Sequence, residues 1–146
     1  MLVQPDTLPL ASDLRTVVTR LLKKLRAHSP TREKLSLTER SVVRLLDQHA
    51  HLLPSELAAL EKVTTQAMSQ ILSHLSERGY ITRQPAATDK RKVLIAISAA
   101  GRALLQTARQ ERDEWLHEAL QATCSAAEVA SLQQALPILK KLVDYE

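Results

Sequence analysis

Three absences narrow the functions open to this chain of 146 residues. It has one cysteine, which excludes an intramolecular disulfide framework and any cysteine-rich zinc module. It has two glycines, Gly79 and Gly101, and neither lies in a GxGxxG or GxxxxGK pattern that would cradle a phosphate. The HExxH and GxSxG signatures are missing as well. We therefore expect a protein that is not an enzyme and that uses neither a metal nor a cofactor.

Long apolar runs are also missing. No segment reaches the roughly 18 uninterrupted apolar residues of a membrane span, and the starting sequence MLVQPDTLPLASD lacks the pattern of a secretory signal. We expect a soluble, cytoplasmic protein with no membrane partner. The length favours a single domain. The formal net charge of +4 and the pI near 9.5 are compatible with a polyanionic partner without requiring one.

What the sequence has in abundance is helical periodicity. Leucine, valine and alanine recur every three or four residues, and hydroxyl residues or prolines stand where helices should begin. The predicted helices run from about Ser12 to Ala27, from an N-cap at Thr38 to about His49, from Pro54 onward, from an N-cap at Thr64 to Gly79, from an N-cap at Ser98 to about Ala122, and from the capping box Ser125 to Glu128 onward.

The predicted helix that follows Thr64 has two unlike faces. One face is apolar and should pack inward, whereas the other carries small, neutral, hydrogen-bonding side chains where a solvent-exposed helix usually carries charges. Amide and hydroxyl groups are able to read base edges in a DNA major groove. A short helix and a tight turn precede this helix, so the pattern indicates a helix-turn-helix. The polar face consists of Thr65, Gln66, Ser69, Gln70 and Ser73.

Two short extended runs come next, over residues 80–84 and 92–97. They can pair as an antiparallel hairpin, because Pro85 ends the first run and the polar residues after it form a tip. This tip carries Asp89, Lys90 and Arg91, and Lys92 follows at the start of the second run. A basic hairpin beside a recognition helix is placed to reach DNA phosphates or the neighbouring minor groove, which makes it a wing.

The terminal helices carry more apolar surface than a small winged helix can cover. The first helix, the long helix after Ser98 and the last helix all have apolar stripes. They could cover this surface in a purely intramolecular helical layer, but we expect them to bury it against a second copy of the chain.

Five stretches of the sequence resemble the MarR family of bacterial and archaeal transcription regulators. They are LT at 37–38, SELA at 55–58, VTTQAMSQILSHLSERGYITR at 63–83, DKR at 89–91 and IAISAAGR at 95–102. This resemblance implies a winged-helix homodimer that binds double-stranded DNA through its recognition helix and a wing arginine. It often implies a small-molecule or redox signal that releases the DNA.

The resemblance also assigns residues. The wing arginine is Arg91, steadied by Asp89. Lys62 stands at a turn position where family members frequently have Gly or Asn, and Gln70 and His74 replace basic residues that are common in relatives. Phosphate contacts should therefore depend on the wing, Arg83, Arg40, and His74 when it is protonated. The complete predicted DNA-binding set is Thr64, Thr65, Gln66, Ser69, Gln70, Ser73, Arg83, Asp89, Lys90, Arg91, Lys92 and Arg40.

The predicted fold is mainly α with a small β-hairpin wing. Residues 36–97 form the winged helix-turn-helix part of one domain spanning 1–146, and residues 1–30 and 98–146 form a helical dimerisation part. The predicted function is a sequence-specific regulator, a repressor that binds a pseudo-palindromic operator as a homodimer and that a small molecule or another signal releases. Two alternatives remain: a helical interaction adaptor that has lost DNA binding, and an enzyme with an undetected site. The sequence identifies neither the effector nor its binding residues.

Overall fold

The computed structural model describes residues 5–29 and 34–146. It confirms a mainly helical chain with a two-stranded wing. Residues 1–4 and Pro30, which belong to the segment 1–30 predicted to take part in dimerisation, lie outside the described residues. The elements, in chain order, are α1 (Leu8–Ala27), α2 (Leu37–Gln48), α3 (Pro54–Glu61), α4 (Thr65–Glu77), β1 (Ile81–Pro85), β2 (Val93–Ile97), α5 (Ala99–Thr123) and α6 (Ala126–Val143).

Two predicted helix starts were wrong. The N-cap of α2 is Ser36 and not Thr38, because the Ser36 hydroxyl accepts from the Glu39 N–H at 3.1 Å and the Glu39 carboxylate accepts from the Ser36 N–H at 2.8 Å. Helix α1 begins at Leu8, four residues before the predicted start, and its first turn contains a proline, which suits that position because no backbone donor is needed there.

The described part of the chain divides into two compact units, one of which comprises Ser29–Gln110. Its core is aliphatic, with a methionine, and comes from α2, α3, α4 and both strands. Strands β1 and β2 pair antiparallel, with Ile81 opposite Ile97 and Pro85 opposite Val93. The largest fully buried side chains are Val42, Val43, Leu46, Leu57, Met68, Leu72, Leu75 and Ile95.

A third extended segment pairs with strand β2 of the hairpin, and the sequence did not indicate this pairing. Leu52, between α2 and α3, donates its N–H to the Ile95 carbonyl at 2.9 Å and accepts from the Ile95 N–H at 2.8 Å. The two residues exchange both hydrogen bonds, as in an antiparallel ladder. The pairing fixes the base of the wing to the loop that precedes α3.

The segment after β2 joins the end of α4, the wing and α5. The Ser98 hydroxyl donates to the Gly79 carbonyl and accepts from the Gly101 N–H at 3.0 Å. The Ser98 N–H donates to the Tyr80 carbonyl at 3.0 Å. Gly79, at which this helix was predicted to end, has a φ of 75°, the left-handed conformation that commonly ends a helix. A Cβ on Gly101 would overlap the Tyr80 carbonyl oxygen, so only glycine fits there.

The second compact unit combines the chain up to His28 with Glu111–Glu146. The capping box predicted at the start of α6 is present, with the Ser125 hydroxyl accepting from the Glu128 N–H at 3.2 Å. The His28 and Trp115 rings stack with their centroids 4.7 Å apart. Neither α1 nor α6 has a buried residue. Within the described residues, no helix combines the length and the hydropathy that a bilayer span requires.

Replacing Gly101 with Ala should lower the free energy of unfolding by about 3 kcal/mol, because the atom that a Cβ would strike belongs to the backbone and cannot rotate away. Urea unfolding followed by far-UV circular dichroism measures this change. The exposed Ala103 on the same helix supplies the control, since Ala103→Ser should change stability by less than about 0.5 kcal/mol. A Gly101→Ala variant as stable as the parent would contradict the close approach.

Candidate nucleic-acid interface

The turn between α3 and α4 sets the position of the candidate recognition helix. Lys62 ends α3 with a φ of 55°, and its N–H donates to the Ala59 carbonyl at 3.3 Å. Val63 donates to the Ala58 carbonyl at 3.0 Å. Lys62 is the single non-glycine residue with positive φ in the described part of the chain, and this conformation costs about 1 to 2 kcal/mol. The turn is therefore tight and strained.

Local interactions also define where α3 and α4 begin. The Thr64 hydroxyl accepts from the Ala67 N–H at 3.1 Å, which confirms Thr64 as the N-cap of α4. Leu53, at the N-cap of α3, has no polar side chain, and the Glu56 carboxylate instead accepts from the Leu53 N–H at 2.7 Å. Met68, Leu72 and Leu75 bury the inner face of α4, so the helix can present only its opposite face to a ligand.

The residues that the sequence predicts for the outer face of α4 do lie on its exposed side. Every predicted residue on it is exposed, and the side chains follow one another at helical spacing. They border an open groove of about 530 Å³, whose wall also includes His74, which was expected above as a phosphate contact, and Glu77, which was not predicted. The predicted residues in its wall are Gln66, Ser69, Gln70 and Ser73, while Thr64 and Thr65 lie at the start of the helix.

The wing tip is organised by one carboxylate. Asp89 Oδ1 accepts from the Arg91 N–H at 3.0 Å and lies 3.4 Å from Arg91 Nε. The guanidinium group still projects outward, because the Arg91 side chain is 93% exposed. Lys92 closes the tip, since its carbonyl accepts from the Ala86 N–H at 2.8 Å and its N–H donates to the Asp89 carbonyl at 3.0 Å. Lys90 and Lys92 are exposed.

The two remaining predicted cations lie on other elements of the same unit. Arg83 is exposed on β1, opposite Ile95. Arg40 is half-buried in the first turn of α2, with its Nε 3.4 Å from the Ser36 carbonyl. All twelve predicted residues thus fall within Ser29–Gln110.

Sequence reasoning missed the link between α2 and α4. His74 Nδ1 lies 3.5 Å from Glu39 Oε1, and the Glu39 side chain is 10% exposed. A local signal for part of this link was available, because SLTE at 36–39 has the S-x-x-E spacing of a capping box. The contact with His74 had no local signal, since the two residues are distant in sequence.

The outer face of α4 and the wing can bind a ligand by hydrogen bonding and by charge attraction. Among residues 5–29 and 34–146, no group of three or more His, Cys, Asp or Glu side chains is placed to hold a metal ion. Hydroxyls and amides on α4 are able to donate to and accept from base edges, and the arginine and lysines of the wing are able to bind phosphates. A recognition helix with a basic wing is an arrangement suited to duplex DNA.

Comparison with known proteins agrees with this geometry. The sequence model of the MarR family matches residues 34–92. An uncharacterised HTH-type transcriptional regulator of Mycobacterium bovis is 36% identical over 135 residues, which cover 92% of this chain and 93% of the relative.

Two solved structures illustrate the similarity in fold. The transcriptional regulator Tm0710 of Thermotoga maritima superposes with a TM-score of 0.81 at 14% identity, covering 91% of this chain and 95% of its own. A mutant of MarR from E. coli, crystallised in complex with operator DNA, superposes with a TM-score of 0.57 at 26% identity, covering 94% of this chain and 95% of its own.

Replacing Lys62 with Gly should raise the free energy of unfolding by about 0.5 to 1 kcal/mol, because glycine adopts a positive φ without the steric cost that a Cβ brings. Part of that gain is offset by the greater freedom of glycine in the unfolded chain. Lys62→Ala is the matched control, since it removes the same charge and keeps the Cβ. Equal stabilisation by both variants in urea unfolding would assign the effect to charge and contradict the strain.

Proposed function

The chain belongs to the MarR family of helix-turn-helix transcriptional regulators, and from this premise we propose that it is a homodimeric repressor of a pseudo-palindromic operator. Binding to DNA and regulating transcription are properties of the family, whose members are regulators and not enzymes. The operator symmetry, the dimer, the direction of regulation and the cytoplasmic location are the parts that we propose.

One observation above all supports sequence-specific binding. The part of the outer face of α4 from Thr65 to Ser73, which carries no charge, and the Asp89–Arg91 wing tip are in the same compact unit. Polar groups that read base edges confer specificity, whereas cations that bind phosphates confer affinity without specificity. In this division of roles, the α4 residues read the major groove. Lys90, Lys92, Arg83 and Arg40 bind the backbone, and Arg91 enters the minor groove.

The distribution of exposed apolar side chains supports the homodimer. Of the fourteen large apolar side chains most exposed in the described residues, twelve belong to the unit of α1, α6 and the end of α5. Such a concentration of exposed apolar surface marks an interaction site, and a second copy of the same chain is the partner that the family resemblance implies. These residues are Leu8, Leu10, Val17, Val18, Leu21, Leu22, Leu132, Leu136, Ile138, Leu142, Val143 and Tyr145.

A twofold dimer presents two copies of α4 and two wings to DNA. Two such half-sites call for an operator whose halves are related by the same symmetry. Repression, released by a small molecule or another signal, rests on the family resemblance alone. A reporter driven by the region upstream of the protein's own gene tests repression. Expression of the reporter should rise when the gene that encodes the protein is deleted.

Arg91→Ala should weaken binding to operator DNA by about 1 to 3 kcal/mol, because the planar guanidinium that Asp89 orients would be lost. Arg91→Lys should not restore it. Removing Lys90 or Lys92 should instead weaken operator and scrambled DNA alike and lower the salt slope by about one for each phosphate that is no longer neutralised. Fluorescence anisotropy at several salt concentrations separates the two effects. Parent-like affinity of Arg91→Ala at every salt concentration would contradict the role of the wing.

Leu136→Glu should weaken self-association by at least about tenfold, because a carboxylate would have to be buried where an apolar side chain now meets the second copy. Sedimentation velocity over a range of protein concentrations measures this. Gln133→Glu introduces the same charge at another exposed position of α6 and should leave the dimer intact. A parent that sediments as a monomer, or two variants that associate equally, would move the interface elsewhere.

A further inference from the structure

Two of the side chains that line the groove on α4 are glutamines. Gln66 and Gln70 belong to its wall, and both residues are exposed. Because they are four residues apart, their side chains project from the same face of the helix, about 6 Å apart along its axis. Gln66 is the second residue of α4, and the first turns of a recognition helix are the part that contacts base edges in the major groove.

The amides of both glutamines are available to a ligand. In the described part of the chain, neither amide is hydrogen-bonded to another protein group. Two nearby hydroxyls are already engaged, since the Thr64 hydroxyl accepts from the Ala67 N–H at 3.1 Å. The Ser73 hydroxyl donates to the Ser69 carbonyl at 3.0 Å. Each glutamine therefore offers a free acceptor oxygen beside a free donor nitrogen.

Adenine is the base that fits this pair of groups. In the major groove it presents the N6 donor beside the N7 acceptor, so a glutamine amide can accept from one and donate to the other. Guanine presents two acceptors there and is matched by arginine or lysine. Helix α4 contains neither arginine nor lysine between Thr65 and Glu77. The two glutamines and the composition of the helix therefore favour adenine over guanine.

The charged residues of the groove lie farther along the helix. His74 and Glu77 follow Gln70 by about one and two turns. His74 Nδ1 lies 3.5 Å from Glu39 Oε1, and Glu77 carries a charge of the same sign as the DNA phosphates. The part of the groove that is suited to base edges is thus the uncharged part that ends at Ser73.

We propose that Gln66 and Gln70 each read one adenine, so that each half of the operator carries two A·T pairs that are adjacent or separated by one base pair. The spacing follows from the dimensions of both molecules, because base pairs are about 3.4 Å apart along the duplex and the two side chains are about 6 Å apart along α4. Both contacts rest on the proposed function, because they require α4 to lie in the major groove.

Selection of duplexes from a random library by the full-length protein, followed by sequencing, identifies the half-site. We expect two A·T pairs at the predicted spacing. Replacing either pair with G·C should weaken binding by about 5- to 100-fold, which is the discrimination that one bidentate contact provides. Fluorescence anisotropy with the selected duplex and the two substituted duplexes, at one salt concentration, measures the change.

Three variants assign the two positions. Gln66→Ala should remove the preference for A·T at one position and Gln70→Ala at the other, while the remaining positions keep theirs. Gln70→Arg should change the preferred base at its position from adenine to guanine, because arginine supplies two donors. Gln48→Ala, at the exposed end of α2, is the matched control and should select the same sequence as the parent. Alanine and arginine both favour helix, and far-UV circular dichroism of each variant checks that α4 is retained.

The outcomes separate the reading of adenine from the proposed function. A parent that enriches no sequence refutes sequence-specific binding and the adenine contacts together. Alanine variants that keep every preference of the parent, or that lose a preference for G·C, overturn the adenine contacts and leave sequence-specific binding in place. A merely structural role of the glutamines predicts an even loss of affinity at all positions, which would also overturn the proposal.

Discussion

The hydroxyl of Ser98 connects three parts of the molecule that must keep a fixed relation. It donates to the Gly79 carbonyl at the end of α4 and accepts from the Gly101 N–H at the start of α5, immediately after β2. Both glycines are required by geometry, one for a positive φ and the other for a backbone approach that leaves no room for a Cβ. The end of α4, the base of the wing and the start of α5 are thus set by one short segment.

A second constraint fixes the other end of α4. The tight turn at Lys62 and the Thr64 cap determine where the helix begins, and three fully buried side chains on its inner face determine which face remains outside. A strained residue at such a turn is tolerated because the packing on either side of it overdetermines the conformation. The strain therefore lies next to the surface that we propose for DNA binding.

The two compact units differ in the kind of side chain that they expose. The unit of Ser29–Gln110 closes its own aliphatic core and presents polar groups and cations, whereas α1 and α6 of the other unit bury no residue and present apolar ones. A surface of the first kind suits a solvated polyanion, and a surface of the second kind suits another apolar surface. This contrast is the physical basis for assigning DNA contact to one unit and self-association to the other.

The sequence by itself determined what depends on neighbours along the chain. Helical periodicity, the caps at Thr64, Ser98 and Ser125, the positive φ of Gly79 and the neutral face of α4 follow from residues a few positions apart, and the structure contains all of them. The S-x-x-E spacing at Ser36 was equally local and was misread as a cap at Thr38. Only the tertiary structure decided which distant groups meet: Leu52 with Ile95, and Glu39 with His74. No periodicity or spacing encodes such pairs, because they result from how α2, α4 and the hairpin pack around one core.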